Sequence, residues 1–209
     1  MMKKLIALLT ALLLLTSPAL AEMPDLSRLL SLLGGTQETE PAELTEEEAA
    51  SVIYTMINEE LDAENLTYEK RDEYQYSYLS MILETPSALG SSADVVLYAF
   101  WDGVSIEASC ENPIDPARVN EVIQLCNLFN SAFYIGNFCV QEFDGTAYLN
   151  YEVFLPMNAS HLNEYDRYSV MEYAYFAADM IQYYQEYFQM VLDGETARNV
   201  YAMWEADSE

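Results

Sequence analysis

Apolar and polar positions in this chain follow two periods, and the points where one gives way to the other lay out its elements. Ala49, Val52, Ile53, Met56, Ile57 and Leu61 recur at helical spacing behind Thr45-Glu46-Glu47-Glu48. That run is a capping box, and its acids suit the positive end of a helix dipole. Over residues 66–84 the period drops to two, with Tyr74, Tyr76 and Tyr78 on one face and Leu79, Met81 and Leu83 on the other, so a strand is expected, then a loop at 86–92. Residues 94–101 are apolar on both faces, the pattern of a central strand covered twice. Val104, Ile106, Ala108 and Cys110 then alternate with Ser105, Glu107, Ser109 and Glu111, a strand with one wet face. Asp102-Gly103 between them predicts a tight type I′ hairpin turn, which needs positive φ at both central residues.

The device repeats at Asp144-Gly145, where residues 137–143 meet a strand whose inward row is Ala147, Leu149, Tyr151, Val153 and Leu155. Between the hairpins, Asp115 as N-cap and Pro116 at the first helical position open an amphipathic helix. Its inner face is Val119, Val122, Ile123, Cys126, Phe129 and Phe133, and Gly136 marks the exit. Residues 157–167 read as an irregular connector. A second capping box, Ser169 to Glu172, starts the longest helix, which ends at Asp193-Gly194. A helical tail follows over 195–206, with Val200, Met203 and Trp204 as its apolar side. The expected fold is therefore α+β: a five-stranded antiparallel sheet with helices packed against it, in the order α-β-β-β-α-β-β-α, occupying residues 45–194.

The N-terminal residues change the picture from fold to compartment. Lys3 and Lys4, an apolar run over 5–15 and Ala19-Leu20-Ala21 are the three parts of a secretory signal peptide, too short for a convincing membrane span. Cleavage after Ala21 predicts a secreted or cell-envelope protein with no stable membrane insertion. Residues 24–33 then place Leu26, Leu29, Leu30 and Leu33 on one helical face before Gly34-Gly35, and an acidic linker follows, so that 22–44 is a short helix on a leash. Loss of Lys3 and Lys4 with the leader takes the formal charge from −27 to about −29, which excludes nucleic acid as a reasonable partner. Three cysteines, Cys110, Cys126 and Cys139, are too few and odd in number for a disulfide scaffold, so the core must hold the fold and the thiols should be free.

Catalytic chemistry finds little support. The chain has no phosphate-binding glycine loop, no cysteine pair at metal spacing and no Gly-x-Ser-x-Gly elbow, so no cofactor or metal is expected. Its only histidine, His161, stands in a polar connector, and proximity among 35 acids carries little weight for a carboxylate pair. Asn127 and Asn130 are expected to bond nearby backbone. The longest helix offers a different signal. Its polar residues Glu172, Asp179, Gln182, Glu186 and Gln189 collapse into one narrow stripe, and most of the rest is apolar or aromatic. Tyr173, Tyr183, Tyr184 and Tyr187, with Leu26, Leu29, Leu30 and Leu33 from the N-terminal helix, are accordingly the candidate partner surface, for a protein client or a second copy of the chain. Folding back of either the 26–33 helix or the 200–204 tail over that flank is the alternative.

Asn127 and Asn130, Phe138, the Asp144-Gly145 turn and the row Leu149, Tyr151, Val153, Leu155, taken with the element order, resemble the YbjN domain family over about residues 46–194. These are bacterial proteins labelled sensory transduction regulators, with a fold like that of type III secretion chaperones. The family has no settled activity, and its kinship to the chaperones implies a protein-binding role. The leading expectation is an exported, non-enzymatic, chaperone-like or adaptor module. The second is an exported sensory or small-molecule-binding domain with a pocket between sheet and helix.

Overall fold

The structure is a computed structural model that describes residues 44–208. The expected signal peptide, the expected helix with Leu26, Leu29, Leu30 and Leu33, and most of the expected acidic linker fall on residues outside the described ones. Within them the fold is α+β, but the antiparallel sheet has six strands rather than five.

Helix α1 (Glu46–Ala63) begins as its sequence requires. The Thr45 hydroxyl accepts from the Glu48 N–H and the Glu48 carboxylate accepts from the Thr45 N–H at 2.9 Å. Ile53, Met56, Ile57 and Leu61 are fully buried, whereas Val52 faces solvent because Ala50 and Tyr54 complete the inner face instead. The extra strand comes from the stretch read as one strand over 66–84. A 3-10 turn at Asp72–Tyr74, followed by Gln75 in the left-handed region at φ 51°, folds β1 (Glu69–Arg71) back onto β2 (Tyr76–Ser87). The Tyr54 hydroxyl donates to Asp72 at 2.8 Å and pins that turn.

The region expected as a loop is also strand. β2 runs through Pro86 and turns at Ala88-Leu89 into β3 (Gly90–Phe100). Pro86 is tolerated because β1 covers only the start of β2, leaving that end of the strand without a neighbour on its β1 side. Three glutamines of the long helix serve the uncovered end: the Thr85 N–H donates to Gln182, the Gln185 amide donates to the Thr85 carbonyl, and the Ala88 N–H donates to Gln189. The polar stripe is thus partly a clamp on the sheet.

β4 (Gly103–Cys110) pairs with β3 with Phe100 opposite Gly103, so the turn residues are Trp101-Asp102, one position earlier than expected. Gly103 is needed for packing rather than for the turn. A Cβ there would lie 2.2 Å from the Leu155 carbonyl oxygen, so glycine permits the close approach of β6 (Thr146–Pro156). The second hairpin, from β5 (Asn137–Phe143) into β6, has the expected turn, with φ 50° at Asp144 and 75° at Gly145. Strand order is β1-β2-β3-β4-β6-β5.

Helix α2 (Val119–Asn130) starts one turn later than Asp115-Pro116 suggested. Asp115 instead closes a turn, accepting the Ala117 N–H on its carboxylate and the Arg118 N–H on its carbonyl. Leu125 joins the inner face in place of Ile123, which is exposed. Helix α3 (Glu164–Leu192) starts before Ser169, because Asn163 and Asp166 already make a capping box. Ala174, Ala177 and Ala178 keep it close to the sheet, and Ile181 and Phe188 fill the layer between. Arg118 donates to the carbonyls of Val191 and Glu195, capping the end of α3, and Glu121 accepts the Ala197 N–H at the start of α4 (Ala197–Asp207). Among the described residues all four helices lie on one face of the sheet.

Candidate functional site

The opposite face carries no described helix, which corrects the expectation that β3 is covered twice. Its side of β3, made by Asp94, Val96 and Tyr98, is half-buried among cross-strand neighbours instead. Register assigns every side chain on this face to a row, because residues opposite one another in neighbouring strands share a face. One row holds Tyr76, Tyr98, Ser105 and Phe154. The next holds Tyr78, Val96, Glu107, Glu152 and Asn137, and the third Ser80, Asp94, Ser109, Asn150 and Cys139.

The first row is aromatic, with the Tyr76 and Tyr98 rings 5.1 Å apart and Phe154 48% exposed. Phe100 and Trp101 extend it at 46% and 53% exposure, and Tyr134 and Ile135 stand free in the loop before β5. The second row places two acids in direct opposition. Glu107 of β4 is the register partner of Glu152 of β6, both half-buried. The Gln141 amide donates to Glu152 at 2.8 Å and to Glu107 at 3.4 Å, and the Cys139 thiol donates to the same Glu152 oxygen at 2.8 Å. Burial raises the Glu107 carboxyl above its ordinary value; Gln141 lowers it and the Glu152 charge adds to the rise. Burial, then the nearby Asp94, push the Tyr78 hydroxyl up to about 12. In the third row Asn150 is 2% exposed, and its Oδ1 accepts no hydrogen bond.

Two of the four long-helix tyrosines expected at the surface are not there. Tyr183 is 67% exposed and Tyr173 half-buried, but Tyr184 and Tyr187 are buried. Helix α4 covers them: Trp204 packs edge-on to Phe129 at 5.4 Å, its ring lies 6.3 Å from Tyr184, and the Tyr187 hydroxyl reaches Asp207 at 3.4 Å. Val200 is fully buried in that contact, while Met203, expected on the apolar side, is exposed. The folded-back tail is therefore the arrangement the chain adopts.

Other sequence candidates take structural roles. The Asn130 amide donates to the Phe138 carbonyl and its oxygen accepts the Phe138 N–H, both at 2.8 Å, so it stands in for a strand partner at the β5 edge. His161 is exposed in a 3-10 turn. The three cysteines are free, with Cys110 and Cys126 buried. Among the described residues no three His, Cys, Asp or Glu side chains gather as a metal site, and no helix is long and apolar enough to cross a membrane. The space between sheet and helices is filled by core side chains. Among the described residues, concavities such as one of about 470 Å³ beside Tyr134, Asn137, Glu152, Phe154 and Tyr173 are open surface features.

No protein-family model matches the chain, and no curated protein does. Among solved structures it is similar to the crystal structure of YbjN from E. coli, which is described as a candidate transcription regulator. The sequences are 11% identical and the TM-score is 0.49, over 64% of this chain and 91% of that one.

Proposed function

We propose that this chain is an exported, non-enzymatic protein-binding module of chaperone-like or adaptor type, and that its partner lies on the open face of the sheet. The observation that carries this reading is the aromatic row of Tyr76, Tyr98 and Phe154 with its extension through Phe100 and Trp101, left without a described covering element. Exposed aromatics grouped on a rigid sheet are the common material of interface centres. Ligand pockets, by contrast, are concave and enclose most of a small molecule, and the broad concavity beside Phe154 does not. The leader read over residues 1–21 of the sequence supports placing that work in the secreted or envelope fraction.

A photocrosslinking residue at Ser105, in the middle of the aromatic row, tests this in the full-length chain expressed in its own cellular background. The expected result is one dominant protein adduct in exported material, absent when the crosslinker stands at Arg198 on the exposed side of α4. Equal adducts from both positions, or none from Ser105, would remove the basis for the reading.

A further inference from the structure

We propose that the open face binds a lysine- or arginine-bearing segment of a protein partner, whose cationic head is seated between Glu107 and Glu152. The proposal rests on the protein-binding reading above and names the chemistry of the partner.

Three independent observations converge. First, like charges directly opposite in neighbouring strands oppose pairing, yet Glu107 and Glu152 face each other on the two interior strands β4 and β6. The ion pairs among the described residues, from Arg71 to Glu69 and from Arg167 to Glu59 and Glu60, leave both of them without a cation. Gln141 and Cys139 supply donors to the pair, but neither brings positive charge. Second, Asn150 lies two residues from Glu152 on β6 and on the same face, opposite Ser109 and Cys139, and its buried Oδ1 lacks a donor. The carboxylate pair and the Asn150 Oδ1 are acceptors, so a group complementary to them must be a donor. Ammonium and guanidinium groups carry donors only. Third, the diagonal neighbour of Glu107 on β3 is Tyr98, opposite Ser105 in the adjoining row, whose ring face attracts a cation further.

Polypeptide rather than free amine is the occupant because the carboxylate pair adjoins the exposed Phe154, with Phe100 and Trp101 further along the same end of the face, and a small cation leaves these side chains untouched. A chain with formal charge −27 also steers a cationic partner toward itself.

The test uses the full chain after leader removal and a fluorescein-labelled peptide of alternating lysine and alanine with one central tryptophan, read by anisotropy. Single-site binding is expected. The double variant Glu107→Gln/Glu152→Gln should weaken it at least tenfold, whereas Glu73→Gln/Glu186→Gln, which removes two exposed acids elsewhere, should change it less than twofold. Both double variants are checked for an unchanged circular dichroism spectrum. If the control loses as much as the site variant, only bulk charge is acting and the proposal is overturned. Spermidine competing as tightly as the peptide would overturn it in favour of a small-cation site. No peptide binding while the Ser105 crosslinker still captures a partner would overturn the cationic assignment and leave the protein-binding reading standing; loss of both results would sink the two together.

Discussion

Phe129 is the residue on which the cover of the long helix depends, and replacing it gives a stability change that can be worked out beforehand. Its ring is fully buried and lies within 6.2 Å of those of Phe133, Phe138, Tyr184, Tyr187, Phe188, Tyr201 and Trp204. A buried Phe→Ala change costs about 3–5 kcal/mol through lost transfer energy plus the cavity left behind. For a domain of this size each kcal/mol lowers Tm by roughly 2–4 °C, so Phe129→Ala should lower it by roughly 6–20 °C. Trp204 is only half-buried, so Trp204→Ala should cost about 2 kcal/mol, near half the range for a fully buried ring. Because the two rings meet edge-on, the double variant should recover about 1 kcal/mol of coupling. Urea denaturation followed by Trp204 fluorescence in a Trp101→Phe background measures the corners that keep Trp204, and far-UV circular dichroism measures those that lack it, since Trp101 stands exposed at the β3–β4 turn. Additivity within about 0.3 kcal/mol, or a Phe129→Ala loss below about 1 kcal/mol, would show that α4 is not seated on this cluster.

Glu107→Gln should raise stability near neutral pH by on the order of 0.5 kcal/mol, because it removes an opposed like charge. The Glu107 pKa is raised in the folded chain, so its folded form holds a proton that the unfolded form has released, and stability falls as pH rises from 4.5 through that raised value. The advantage of the glutamine variant should accordingly vanish below about pH 4.5, and a gain independent of pH would contradict the assignment. Burial pushes the Cys110 and Cys126 thiols up to about 12, while burial and the bond to Glu152 raise Cys139 as well. Thiol titration should thus return three slow groups in the native protein and three fast ones in denaturant; a single fast group would mean a disulfide. Gly103→Ala should cost about 1–3 kcal/mol or more, since its Cβ meets strand β6, whereas Gly145→Ala in open space should cost about 1 kcal/mol for its positive φ alone. Equal Tm losses for the two would refute the close-approach role of Gly103. N-terminal sequencing of exported protein should begin at Glu22, and a retained Met1 would remove the leader assignment.

The sequence made the element types legible wherever one face had a single environment. The capping box at Thr45, the alternation of Val104 to Cys110 and the Asp144-Gly145 turn all carry their own local chemistry, and each forms as expected. Boundaries failed where a residue serves a distant neighbour. Gly103 looked like a turn glycine, but its missing Cβ answers to Leu155, far along the chain. Gln182 and Gln189 looked like a wet stripe, yet they clamp the β2–β3 turn. Tyr184 and Tyr187 were assigned to the candidate partner surface for the same reason: tyrosine suits both an interface and a buried cluster, and periodicity along α3 says nothing of where α4 lands. The opposed pair of Glu107 and Glu152 could not be read from periodicity, because β4 and β6 become neighbours only through the sheet order, although the wet face of β4 was visible.

That sheet order also sets a sequence of events in time. β6 is the last strand made, yet it belongs in the interior, between β4 and β5. A chain that emerges N-terminus first, from a ribosome or a channel, can complete the β2–β3–β4 meander while β4 still presents a bare row of backbone donors and acceptors. Closing the long loop through α2 and the second hairpin onto that row costs more entropy than zipping a local turn, so it governs the rate of folding. Until Pro156 reaches Gly103, β4 is open to any passing strand, and the interval before β6 arrives is when this chain is most prone to pair wrongly.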